Sequence, residues 1–448
     1  MSTILANAAP KKRLFIDIFT RDISLEDCIL DLIDNSIDSL LRWKKIQIHE
    51  DIFEQNAKKH FDDSTLPIVS VELSEDYIEI NDRCGGIPIS KAVNEVFVFG
   101  KDIGTESGGL GVYGIGLKRA IFKIGKDLEM SSFSDAEAFE VNLDLESWAE
   151  KDEKPEDWRI PINVAQFDDD KKNTTSIKIS RLNEDIKMRI NDGTFFSSLS
   201  DQISKTYSFI INRYVEIKIQ GEFIKPFEVP FGTSDEVTPA FEEFEHDGVF
   251  VRLLSALIPE KMEPSYRKAG WYILCNGRVV ETANKDQISG WGAGLPIFQN
   301  KFNSFIGYAF FQSENPLRLP WKTTKKGVNR ESQIFIKARA KMIYLSIPIT
   351  RFLSKRYSGD LKEEPFEREI AQRIENVNIS DIFSDIKKSD FIVSARKEKK
   401  PNPYANISYK VLKTKLDLVK KSFRRASMSN KEVGERTFNY YIDMEGLD

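Results

Sequence analysis

The chain has 448 residues, 41 % hydrophobic and 30 % charged, with a formal charge of −5. This is enough for two or three folded regions with sizeable cores, and it excludes a global polyanion binder, a collagen-like or disordered chain, and a membrane-spanning one. Three dispersed cysteines (Cys28, Cys84, Cys275) and three histidines (His49, His60, His246) exclude a disulfide framework and zinc chemistry. With an N-terminus that lacks a signal-peptide layout, they lead us to expect a cytoplasmic protein.

The first strong pattern is SLEDCILDLIDNSIDSLL, residues 24–41. Ser24 with Asp27 marks a helix start. At helical pitch Asp31, Asp34, Asn35 and Asp38 share an arc of roughly 100°, and isoleucines and leucines fill the rest. No lysine or arginine interrupts this stripe before Arg42. It is either an exposed acidic face or one turned towards a bound cation or ligand.

IEINDRCGGIP, residues 78–88, reads as a strand ending at Asp82, then a turn through Gly85 and Gly86. It is a plain turn or a place where a ligand meets backbone. GKDIGTESGGLGVYGIGLKRAIFKIG, residues 100–125, is glycine-rich and runs into an apolar-periodic helix near Ile115. Gly111, Gly114 and Gly116 stand where free helix N–H groups favour a phosphate, and Lys118 puts a cation in that first turn, against the helix dipole. No G-K-[ST] follows, so this is not a Walker loop.

Residues 190–345 also read as mixed α/β: a helix running into a hairpin before residue 230, then two strands around Asn276-Gly277. A helix is expected near 331–357, a linker near 387–406, and finally a short strand, a basic helix and an aromatic end (Phe438, Tyr440, Tyr441). From Phe391 to Arg425 there are eleven Lys/Arg against two acids. That run is a nucleic-acid contact or a solvated helix face plus linker.

In order and spacing, DLIDNSID, NDRCGGIP, GLGVYGIGLK and NTTSIKI (173–179) resemble the motifs of the GHKL, or Bergerat-fold, ATPases. These include gyrase B subunits, sensor histidine kinases, heat-shock chaperones, MutL and MORC proteins. The resemblance covers about residues 20–180. LPWKTTKKGVN (319–329) is similar to the loop through which gyrase-like transducer domains send a lysine to the γ-phosphate; Lys325 is the choice, with Lys322 and Lys326 beside it.

The resemblance implies an α+β chain: a Bergerat-fold ATPase domain (1–185) with helices layered on a mixed, mostly antiparallel sheet, a smaller transducer-like α/β domain (190–345), and a helical, basic C-terminal region (346–448). It implies ATP and Mg²⁺, with Asn35 as metal ligand and Asp31 as the base that orients the attacking water. Asp82 would read adenine, held by Thr175 directly or through water, while Gly86 and Ile87 lie against the ring. Gly111, Gly114 and Gly116 would wrap the β- and γ-phosphates with Lys118 adding charge, Asp38, Val112, Tyr113 and Ile115 would be further nucleotide-binding residues, and Lys325 would reach the γ-phosphate.

Three departures stand out: Asp31 where glutamate is usual, Cys84 for the first glycine of the second motif, and Thr174 for the glycine before the motif threonine. They point to slow turnover more than to lost binding. The expected function is therefore a slow ATPase acting as a conformational or dimerisation switch in a larger machine, nucleic-acid-related or defence-like. Its expected partners are a second copy of the chain, a protein client, and nucleic acid through 391–425. The alternative is a chaperone-like or scaffold protein that binds ATP with little turnover. No phospho-acceptor histidine on a dimerising helix and no DNA-cleavage module is evident.

Overall fold

The computed structural model describes residues 11–48, 57–61, 65–98, 109–111, 114–151, 154–228, 230–357, 365–377, 379, 388–393, 407–425 and 427–446. Two helices open it, α1 (Lys12–Arg21) and α2 (Leu25–Trp43). The Ser24 hydroxyl accepts the Asp27 N–H at 3.2 Å, so α2 starts at the expected cap. Cys28, Ile29, Ile33, Ile37 and Leu40 on α2 are wholly buried. Their burial fixes the roll of the helix, and with it the direction of the acidic stripe.

Those side chains pack over a first sheet built from β1 (Ile68–Leu73), β2 (Tyr77–Asp82), β3 (Gly125–Ser134), β4 (Glu137–Asp144), β5 (Asn163–Val164), β6 (Thr174–Leu182), β7 (Glu216–Ile219) and β8 (Glu222–Phe223). The strand order is β5-β4-β3-β6-β2-β1-β7-β8. Every pairing is antiparallel except that of β1 with β7. This is the mixed, mostly antiparallel sheet expected of the ATPase domain. β7 and β8 come from beyond residue 190, where the second region was expected to begin. Helix α3 (Gly116–Ile124) leads directly into β3 and packs beside α2.

Two short helices, α4 (Leu145–Glu150) and α5 (Glu184–Ile190), and a longer one, α6 (Phe195–Thr206), complete this part. A second mixed sheet follows, with principal strands β9 (Ala240–His246), β10 (Val249–Leu257), β11 (Gly270–Cys275), β12 (Arg278–Asn284) and β13 (Phe305–Gln312) in the order β12-β11-β13-β10-β9. Asn276 and Gly277 join β11 to β12 with φ of 45° and 82°, the left-handed pair that a two-residue hairpin needs. Helix α7 (Gln333–Arg356) lies on this sheet, where Trp271 Nε1 donates to Ser346 Oγ at 3.2 Å. It runs unbroken through residue 345.

Residues 388–393 were expected to be linker. Instead Lys388–Ser389 pairs with β9 and Ile392–Val393 pairs with Val237–Thr238. Phe391 packs on Phe352 at 5.9 Å, so this apolar run is drawn onto the sheet. The rest of the expected linker lies outside the described residues.

Met1–Ser394 forms one unit and Ala395–Asp448 another. The second holds α8 (Lys413–Ser422) and α9 (Asn430–Glu445), the latter started by a Ser429–Glu432 capping box. The strand expected before the basic helix is absent, because 407–412 has no strand to pair with and is exposed throughout. Phe438, Tyr440 and Tyr441 sit on α9 and are exposed.

Candidate functional site

The acidic stripe of α2 opens on a cleft bounded by the end of β2, the start of α3 and a loop from the second sheet. Asp31, Asn35, Asp38, Asp82, Ile87, Gly111, Gly114, Ile115, Gly116, Lys118, Thr175 and Lys325 all line it. Residues chosen from five separate motifs thus meet in one place. Gly86 sits just behind the wall, where its carbonyl accepts from Ser39 Oγ at 3.1 Å. Val112 and Tyr113 lie outside the described residues.

Protein donors meet the carboxylates of the stripe where it lines the cleft. Asp31 Oδ2 receives Arg119 Nε at 2.7 Å and Nη2 at 2.5 Å. Burial pushes the Asp31 carboxyl above its usual range, although Lys325 and Arg119 pull the other way. Asp34 is wholly buried; Tyr207 Oη (2.7 Å) and Arg278 Nε (3.1 Å) share its Oδ1, and Lys325 Nζ lies 2.7 Å from its Oδ2. Burial alone would raise this carboxyl, but Arg278 and Lys325 outweigh it and hold it below the usual range.

Asp38 accepts the Leu110 N–H at 2.5 Å and also the Gly111 N–H. It thereby ties the glycine segment to α2, while burial pushes its carboxyl up. A Cβ on Gly111 would stand 2.5 Å from Asp38 Oδ2, so this contact requires glycine. Asp31 and Asp34 thus meet charged side chains and Asp38 meets backbone N–H groups, while no side-chain hydrogen bond of Asn35 is found among the described residues.

Asp82 closes β2 and is buried. Its Oδ2 accepts from Ser36 Oγ at 2.6 Å and its Oδ1 from the Cys84 N–H at 3.0 Å. Burial pushes its carboxyl up to about 6 in spite of both bonds. Thr175 stands opposite Asp82 in the β2–β6 register, but its hydroxyl pairs with Ser132 Oγ at 2.9 Å. Ser36 thus holds Asp82 directly, and the direct bond expected from Thr175 is replaced by one to Ser132. Ser132 Oγ also accepts the Ile87 N–H at 2.8 Å, which fixes the turn at the cleft wall. Gly86 has φ of 66°, and a Cβ there would come within 2.2 Å of the Phe133 carbonyl. Packing against β3 already demands this glycine.

Lys118 folds back so that Nζ donates to the Gly114 carbonyl, at the N-terminal end of α3. Lys325 enters from the 319–329 loop in a left-handed conformation, φ 55°, which turns its side chain into the cleft beside Thr323. Lys326 instead reaches Asp27 at 3.4 Å, and Lys322 is exposed. Among the three lysines, Lys325 is the one at the site.

Among the described residues no cluster of three or more His, Cys, Asp or Glu is placed to hold a metal. A side-chain amide oxygen such as that of Asn35 would suit Mg²⁺, which takes most of its shell from phosphates and water. Asn35 would hold it, and the ion would neutralise phosphate charge. Sequence reasoning missed Ser36, Ser132, Arg119, Tyr207 and Arg278. Ser36 carried a local signal, its place in DNSID; Tyr207 and Arg278 are 173 and 244 residues from Asp34 and carried none.

A family model described as histidine kinase-, DNA gyrase B-, and HSP90-like ATPase matches residues 23–174. The match begins at the residue before the Ser24 cap and ends at the start of β6. No curated protein matches the chain. Among the described residues, no helix is long and apolar enough to cross a membrane.

Proposed function

Because residues 23–174 are a GHKL-type ATPase domain, which implies ATP binding, we propose that the chain is a Mg²⁺-dependent, slowly hydrolysing ATP switch. The observation that carries this reading is Lys325. It reaches from the second sheet to a carboxylate on α2, so one cleft joins the ATPase domain to a transducer-like region. In this reading Asn35 holds Mg²⁺, Asp82 reads adenine, the Gly111–Gly116 segment wraps the phosphates, and Lys325 meets the γ-phosphate. Asp31 orients the attacking water through Oδ1, since Arg119 occupies Oδ2. Such chemistry is positioning plus electrostatic stabilisation.

ATP shifts a conformational equilibrium only if it binds one state better than the other. We take the favoured state to be a homodimer of MORC-like type. The test is mass in solution with and without a non-hydrolysable ATP analogue, together with turnover of Asp31→Asn. The switch predicts analogue-dependent dimers and an Asp31→Asn protein that binds ATP but hydrolyses it at least about tenfold more slowly. A monomer under both conditions removes the dimer, and undiminished turnover removes Asp31 as base.

A second reading, an ATP-binding scaffold or chaperone-like protein with little turnover, is favoured by the Arg119–Asp31 pair, which restrains the base. In either case the exposed lysines of α8 supply a basic surface for nucleic acid, and a protein client remains part of the proposal.

A further inference from the structure

Asp34 divides its two oxygens between two cations. Arg278 Nε lies 3.1 Å from Oδ1, which also receives the Tyr207 hydroxyl at 2.7 Å, and Lys325 Nζ lies 2.7 Å from Oδ2. Arg278 does one more thing: its Nη1 donates to the Lys325 carbonyl at 2.8 Å. One guanidinium therefore grips both the carboxylate and the backbone of the residue whose side chain touches that carboxylate. The rest of the turn is fixed as well, with Lys325 N–H on the Lys322 carbonyl at 2.8 Å and Gly327 N–H on the Val280 carbonyl at 2.9 Å.

We infer that Arg278 is a positioning residue, a fixed counter-ion that lets Lys325 change partner from Asp34 to the terminal phosphate of a bound nucleoside triphosphate. The inference rests on the proposal that the cleft takes ATP. Asp34 is wholly buried, and a buried carboxylate stripped of its only cation is strongly disfavoured. With Arg278 on Oδ1, departure of Lys325 strands no charge. Without Arg278, Lys325 would be the sole direct counter-ion of Asp34 and would be held there. Lys325 already borders the cleft, 3.9 Å from Asp31 Oδ1, so the exchange is a side-chain swing with the loop backbone in place.

The test compares binding of Mg²⁺ with AMP-PNP and of Mg²⁺ with ADP, by calorimetry, for the parent, Arg278→Gln, Lys325→Met and the double variant. The parent should prefer the triphosphate. Arg278→Gln should lose about tenfold in triphosphate affinity and leave ADP within about twofold, as coupled neighbouring charges do. Lys325→Met should lose the preference, and Arg278→Gln should subtract nothing further from it. Equal losses for both nucleotides, or a preserved preference, overturn the inference and mark Arg278 as merely structural. If Arg278→Gln does not fold, Tyr207→Phe, which removes one donor from the same oxygen, should cut the preference by about threefold; an unchanged preference overturns the inference. If the parent binds neither nucleotide, the ATP reading itself fails and the inference falls with it.

Discussion

Replacing Asp82 with asparagine should stabilise the nucleotide-free protein while destroying its adenine site. Asp82 is buried at the end of β2 with one hydroxyl and one backbone N–H as donors, and no cation is among the causes of its shift. Its carboxyl stands at about 6 rather than 3.8. At about 1.4 kcal/mol per pH unit, the buried anion costs roughly 3 kcal/mol at neutral pH. Asparagine keeps an acceptor for the Cys84 N–H and can donate to Ser36 Oγ, so most of that cost should return as stability, about 1–3 kcal/mol.

The sign follows from linkage. The folded-state pKa lies above the unfolded one, so the penalty is absent below about pH 4, grows as pH rises through 6, and is constant above. Denaturant unfolding of parent and variant at pH 7.5 and pH 4.5 should show a gain that is large at the first and small at the second. ATP binding should be lost at both, since an amide NH₂ would face the exocyclic amino group. A variant less stable than the parent at pH 7.5, or a gain independent of pH, would refute the reasoning.

Three further outcomes follow from particular contacts. Gly111→Ala forces a Cβ to 2.5 Å from Asp38 Oδ2, so the glycine segment must move and triphosphate affinity should fall about tenfold or more by calorimetry; unchanged affinity would separate that segment from the phosphates. Arg119→Ala strips the buried Asp31 of its bidentate partner and should cost about 3 kcal/mol in denaturant unfolding, whereas a loss under about 1 kcal/mol would mean that the pair behaves as a surface one. If the C-terminal unit contacts nucleic acid, charge reversal at Lys413, Lys415, Lys420 and Lys421 should abolish binding and its salt dependence in a fluorescence titration; binding that survives removes that role.

The site was legible where its determinants are local. The Ser24 cap, the Asn276-Gly277 hairpin and the DLIDNSID, NDRCGGIP and GLGVYGIGLK motifs each depend on a few consecutive residues, and the structure brings the three motifs to one cleft. The neutralisation of the acidic stripe was not legible. Its partners come from α3, from Tyr207 after α6, from the start of β12 and from a loop near residue 325, and only the fold sets those distances. The absence of lysine or arginine near the stripe in sequence left an exposed face, a bound cation and a ligand all open; for Asp31 and Asp34 the structure adds cations from elsewhere in the chain, Arg119, Arg278 and Lys325. The short strand expected at the start of 407–448 failed for a related reason, since alternating apolar residues make a strand only where another strand can pair with them, and among the described residues 407–412 pairs with none.

Asn35 is the residue on which the nucleotide reading turns. Calorimetric titration of ATP into the folded parent and into Asn35→Ala, each with Mg²⁺ and with EDTA, tests the reading most directly. The account predicts that the parent binds ATP with Mg²⁺ and loses at least about tenfold in affinity with EDTA. Asn35→Ala should bind weakly and alike in both. A folded parent that binds no ATP, or an Asn35→Ala protein that keeps the full Mg²⁺ dependence, would contradict it.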